Sequence, residues 1–184
     1  MLASLAARGL GAVSVRDVAA RAGVSPGLVR HHFGSFGALL VEAYRHVVQR
    51  VDAQFDATLD AAGDDPDQRL AAFLNASFSP ALVDRDLLSA WLGFWGLVRS
   101  DADAARLHAE AYGAYRDRLA VVLAAAAQAR GRMIDVRAGA IGLAAMLDGL
   151  WLELCLDPAT FTPAEAVRLA GDWTARFLDG GTPR

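Results

Sequence analysis

The sequence predicts an all-α protein: three short N-terminal helices, a long fourth helix and a C-terminal helical bundle, about nine helices in all. Two observations carry this. Long segments repeat apolar residues at helical spacing, with no run of alternating β-branched residues, and the breaks between them fall on cap-forming residues. Hydrophobic residues make up 54% of the 184, with alanine, a strong helix former, prominent among them.

The elements follow in order. A first short helix ends at Arg8-Gly9. Ser14, followed three residues later by Asp17, has capping-box spacing and opens a helix over Val15 to Ala22. Ala22-Gly23-Val24 breaks it, and Ser25-Pro26 starts a third helix, with serine as N-cap and proline at the first helical position, ending near Phe33-Gly34. From Ser35 to about Ala62, Leu39, Leu40, Ala43, Val47, Val51, Phe55 and Leu59 form one apolar face. After the loop at Gly63-Asp64-Asp65-Pro66, helices are expected over 67–78, 84–99, 101–130, 135–156 and 163–178. Thr162-Pro163-Ala164-Glu165 combines a capping box with an N1 proline at the start of the last.

Charge is unevenly spread. All 18 basic residues are arginine, and with 21 acids the net charge is −3. Residues 1–50 hold six arginines against two acids, a net +4, while residues 51–184 hold twelve against nineteen, a net −7. A basic head on an acidic body is the pattern of a head that faces a polyanion. Two short helices joined by Ala22-Gly23-Val24-Ser25 have the size and turn chemistry of a helix-turn-helix, whose second helix enters the major groove of DNA.

Other classes are excluded on chemistry. Cys155 is alone, so no intrachain disulfide forms and a reducing compartment is expected. MLASLAARGL is too short and too soon interrupted by Arg8 for a signal peptide, which points to a cytoplasmic protein. Ala138 to Leu156 is long and apolar enough to span a bilayer, but Asp148 and Glu153 are costly in hydrocarbon, so a buried helix at a subunit interface is expected and no membrane partner. No HExxH, GxSxG, CxxC or P-loop pattern occurs, Gly9-Leu10-Gly11 follows no strand, and no enzyme activity or cofactor is expected. Asp84/Asp86 and Asp101/Asp103 sit at helix starts, where they offset the helix dipole, so metal binding is not expected of them.

The stretch SVRDVAARAGVSPGLVRHHFGSFGALL, Ser14 to Leu40, resembles the DNA-binding head of the TetR family of bacterial transcriptional regulators, through the core VAARAGVS, the HHF ending of the recognition helix and the GSxxxLL entry to the fourth helix. SAWLGFWGLVRSDADAARLHAEAYGAYRDRL and GLAAMLDGLWLELCL resemble the C-terminal domain of the choline-responsive, BetI-type repressors of glycine-betaine synthesis. The resemblance implies a helix-turn-helix DNA-binding domain over 1–45 and a ligand-binding and dimerisation domain over 46–184. It further implies a homodimer that binds an operator palindrome as a repressor and is released by a small-molecule inducer. The last two helices would form the dimer interface, to which Asp135–Leu156 and a stripe of Val167, Ala170, Trp173 and Phe177 would contribute.

Carried over by position, the DNA contacts fall on Ser14, Ser25, Pro26, Gly27, Arg30, His31 and His32. Gly27 lets the backbone approach, and Arg30, where the family often has tyrosine, has the fork to take a guanine in bidentate fashion. His31 and His32 fall at phosphate-contacting positions, and Ser14 and Ser25 sit at helix N-termini, whose free N–H groups favour anions. As adjacent helical residues the two histidines point about 100° apart and chelate a metal poorly. Phe33 is expected in the core, with Leu28 or Val29, Val18 and Ala19. The pattern departs from the family at Phe36, where a phosphate-contacting lysine is usual, and in a short first helix. Family members commonly carry ten or more further residues there, so either the head packs less well or the start lies upstream.

Trp91, Phe94 and Trp95 cluster on one helix, Tyr112 and Tyr115 on the next, and Trp151 lies one turn beyond Asp148. One reading is a cation-binding aromatic cage with Asp148 as its negative charge, which fits choline or a related cation as inducer. The other is an ordinary bundle core with Asp148 hydrogen-bonded at the dimer seam. Gly93 and Gly96 suit close helix approach. A rival to the regulator is a ligand-binding protein of the same fold with weak or lost DNA binding, motivated by Phe36 and the short first helix.

Overall fold

The computed structural model describes residues 1–8, 13–180 and 182–183. Among these, nine helices occur: α1 (Leu2–Arg8), α2 (Val15–Ala22), α3 (Pro26–Phe33), α4 (Phe36–Ala61), α5 (Pro66–Ser77), α6 (Arg85–Val98), α7 (Ala102–Ala129), α8 (Val136–Leu156) and α9 (Pro163–Asp179). The expected Gly9-Leu10-Gly11 break lies outside the described residues. A two-residue antiparallel pairing of Arg132–Met133 (β1) with Thr182–Pro183 (β2) was not expected, since segments so short carry no period.

Local chemistry sets the helix ends. Ser14 and Asp17 form the capping box of α2, and Gly23 at φ 67° closes that helix in the left-handed conformation. Thr162 and Glu165 form the equivalent box on α9. Asp84 caps α6 by accepting from the Leu87 N–H at 2.8 Å, and Asp101 caps α7 by accepting from Asp103 and Ala104 at 3.0 and 2.9 Å.

The chain packs as two compact units, whose boundaries fall inside α4, between Arg50 and Val51, before α6, between Val83 and Asp84, and inside α7, between Ala111 and Tyr112. Compactness therefore divides the chain differently from the expected division by role at residue 45, because both long helices contribute to both units. Unit one (Met1–Arg50 and Asp84–Ala111) is built on Leu5, Val18, Ala19, Val29, Tyr44 and Phe94. Unit two (Val51–Val83 and Tyr112–Arg184) is built on Phe55, Phe73, Leu119, Leu123, Leu143 and Leu147.

In unit two, α8 is long and apolar enough to cross a membrane, but Ala140, Leu143, Ala144, Leu147, Leu154 and Cys155 make its inner face protein core. Within the chain, α9 buries Ala166, Ala170, Thr174 and Leu178, so of the expected interface stripe Ala170 is already covered. Trp173 and Phe177 stack on each other at 5.3 Å and lie against Gly142 and Gly139 of α8, half-buried within the chain itself.

Candidate nucleic-acid interface and ligand site

The helix-turn-helix is assembled locally. The Val24 N–H donates to the Ala19 carbonyl at 3.0 Å across the turn, and the Ser25 Oγ accepts from the Leu28 N–H at 3.1 Å to start α3. Val29 alone of α3 is buried; it joins Val18 and Ala19 of α2 in the core. Ser14, Ser25, Pro26, Gly27, Arg30, His31 and His32 are all exposed. The His31 and His32 rings meet edge to face with centroids 5.5 Å apart.

One correction concerns this head. Phe33 is 37% exposed and Leu28 43%, so neither is core, and of the pair Leu28 and Val29 only Val29 turns inward. Phe33 instead lines an open groove of about 740 Å³ with Val41, Leu107 and Asp101. The two helix N-termini also differ. At α2 the Asp17 carboxylate accepts from the Ser14 N–H at 3.0 Å and fills the anion position, whereas α3 has no acid in its first turn. The open anion-facing end is that of α3.

The seven expected ligand residues divide between the units. In unit one, Phe94 is fully buried and stacks on Tyr44 at 4.6 Å, Trp91 meets Tyr44 edge to face at 5.2 Å, and Trp95 lies 6.2 Å from Trp91. Gly93 is buried and Gly96 exposed. Tyr44 was missed by the sequence reading, although it lies on the apolar face of α4, one turn after Leu40.

In unit two, the Tyr112 and Tyr115 rings lie 6.4 Å apart, and Tyr115 packs on Phe55 and Phe73 at 5.8 and 5.7 Å. Asp148 is hydrogen-bonded by the Tyr112 side chain, with Arg116 nearby. Burial pushes its carboxyl up to about 6, against the opposing pull of Tyr112 and Arg116. Burial also raises the Tyr115 phenol, helped by the Asp148 charge. Trp151 donates its indole N–H to the Leu82 carbonyl at 2.8 Å, which fixes the ring against the segment before α6. Arg118 reaches Asp56 through Nε and Nη2 at 2.9 and 3.2 Å, and Asp52 through Nη1 at 2.8 Å; this α4–α7 clasp was not read from the sequence. Two such helices have no sequence pattern that says which charges meet.

Residues 2–43 match the model for bacterial regulatory proteins of the tetR family, and residues 66–179 match that for the C-terminal region of BetI-type transcriptional repressors. The chain belongs to the TetR family. Its relatives include the HTH-type transcriptional regulator BetI of Burkholderia thailandensis, 34% identical over 178 residues, covering 96% of this chain and 89% of the relative. The BetI regulator of Serratia proteamaculans is 30% identical over 184 residues, covering 99% and 90%. A candidate transcriptional regulator from Pseudomonas aeruginosa PAO1 has the same fold at TM-score 0.90 and 44% identity, over 97% of this chain and 86% of that one. Another from Saccharomonospora viridis, solved in complex with choline, superimposes at TM-score 0.81 with 24% identity over 95% and 93% of the two chains. This TetR-family protein is thus a ligand-responsive, DNA-binding transcriptional regulator of BetI type and not an enzyme.

Proposed function

We propose that this TetR-family protein is a cytoplasmic, homodimeric repressor. Its heads, residues 1–45, bind a palindromic operator, and its body, residues 46–184, binds choline or a related small cation that releases the DNA. The observation that carries the reading is the exposure of α3, with only Val29 turned inward and Arg30, His31 and His32 clear of the core. Arg30 makes the base contact, His31 and His32 meet phosphates, and Ser25, Pro26 and Gly27 bring the open N-terminus of α3 to the backbone. Ser14 acts chiefly as a cap, since its partner Asp17 already occupies that helix end.

For the ligand, Asp148 with Tyr112, Tyr115 and Trp151 supplies a partly buried carboxylate beside aromatic faces, the combination that holds a quaternary ammonium group. Trp91 and Phe94 support the reading less, because their contacts with Tyr44 already account for them as core, and Trp95 packs on Trp91. The choline held by the Saccharomonospora viridis relative agrees with a cationic inducer. The dimer is supported by α8 and α9, which leave Ile141 at 43%, Leu156 at 53% and Leu169 at 39% exposed.

The test is a mobility shift on DNA upstream of the protein's own gene, with and without choline and betaine aldehyde. A shift reversed by choline, and a choline response lost in Asp148→Asn but kept in Trp91→Ala, is the expected result. Loss of the response in Trp91→Ala too would assign that tryptophan to the ligand. A shift indifferent to choline refutes the cationic inducer, and no shift at low salt favours the ligand-binding protein without DNA affinity that Phe36 suggests.

A further inference from the structure

Three large apolar side chains of the helix-turn-helix are exposed: Val24, Leu28 and Phe33. A single exposed leucine is ordinary on a protein surface, so its direction has to distinguish it. With 100° per residue, and Val29 marking the inward direction, Gly27 and His31 lie closest to the outward pole of α3. Arg30 falls on one flank of that pole and Leu28 on the other, each about 100° from Val29. Phe33 returns to within about 40° of Val29 and also lines a second, smaller groove with Leu39 and Ala43 of α4. Val24 lies in the turn before the N-cap, its N–H tied to Ala19.

Leu28 alone among the three therefore lies on the face that the Proposed function turns toward the major groove. The α3 backbone is capped at Ser25 and anchored by Val29, so the leucine is held at a fixed place on a rigid element. The only apolar group that base pairs present in the major groove is the 5-methyl of thymine. The geometry points to Leu28 as a specificity-determining residue that reads a thymine methyl in each operator half-site, on the opposite flank of α3 from the base taken by Arg30. This inference rests on the DNA-binding reading of α3. It makes sequence recognition bipartite, with a polar contact from one flank and an apolar contact from the other.

The test uses the duplex that the wild-type protein enriches from a random-sequence library, with each thymine replaced in turn by deoxyuridine. That change removes the methyl and keeps the base pair. At one thymine per half-site, uracil lowers wild-type affinity about fourfold, the worth of one apolar methyl contact. Leu28→Ala then binds the thymine and uracil duplexes equally, while Arg30→Ala binds more weakly but keeps the thymine preference. Wild-type protein that binds its enriched duplex tightly yet tolerates uracil at every position overturns the inference, as does a Leu28→Ala protein that keeps the preference. The scan on wild-type protein alone decides the matter even if a variant folds poorly. Failure to enrich any sequence is a different result, and it overturns the DNA-binding reading together with this one.

Discussion

The Tyr44 hydroxyl and His108 Nδ1 lie 2.9 Å apart, joining α4 to α7 within unit one. Tyr44 is fully buried, and burial raises its phenol, so the hydroxyl stays protonated and needs this partner. His108 is only half-buried. Loss of the two partners is therefore unequal. Tyr44→Phe leaves a nitrogen that water can reach and should cost about 1 kcal/mol, whereas His108→Leu strands a buried hydroxyl and should cost about 1–3 kcal/mol. Urea denaturation of the two variants measures the order, and a Tyr44→Phe cost above that of His108→Leu would contradict it.

The approach of α9 to α8 depends on Gly139. A Cβ there would stand 2.5 Å from Cε1 and 2.9 Å from Cζ of Phe177, and 3.3 Å from Cδ1 of Leu123. Gly139→Ala should destabilise by about 1–3 kcal/mol as the ring is forced aside. Gly113, inside α7, has nothing within 4 Å of such a Cβ, so Gly113→Ala should stabilise by about 0.5–1 kcal/mol through helix propensity. Thermal melts of the pair check both signs.

Asp148 makes stability depend on pH in the direction opposite to a salt-bridged carboxylate. Its folded-state value of about 6 exceeds the ordinary 3.8, so the native state holds the proton more tightly than the unfolded chain. The cost of burying the charge is absent below the ordinary value and complete above the folded one. It amounts to roughly 3 kcal/mol at neutral pH. Asp148→Asn, in the absence of ligand, should be more stable than wild type at neutral pH, with the difference vanishing as the pH falls toward 4. A difference that is constant across this range would exclude the mechanism.

Phe36 opens α4 half-buried, at a position close in sequence to the end of the recognition helix. Phe36→Lys adds a phosphate contact, and should raise operator affinity at low salt and steepen the plot of log affinity against log salt by about 0.9. Binding measured between about 50 and 200 mM salt gives the slope directly. An unchanged slope would place residue 36 away from the DNA backbone.

The sequence by itself determined the helices and the class of regulator. Ser14 with Asp17, Ser25 with Pro26, and Thr162 with Glu165 act on groups within three residues of themselves, so their effect is legible without knowing the neighbours. The resemblance at Ser14–Leu40 is legible for the same reason, because a helix-turn-helix is built from adjacent residues. Only the tertiary structure decided which face of each helix is covered. Helical period places Leu28 and Val29 side by side, and the packing of α2 selected Val29. Trp173 and Phe177 lie over Gly142 and Gly139 of α8, a pairing that the period of α9 does not record. The aromatic residues expected at one site fall in two compact units, with Tyr44 drawn to Phe94 and Phe55 drawn to Tyr115. Burial and ring contact depend on residues up to some sixty positions away, and a period of 3.6 residues carries no record of them.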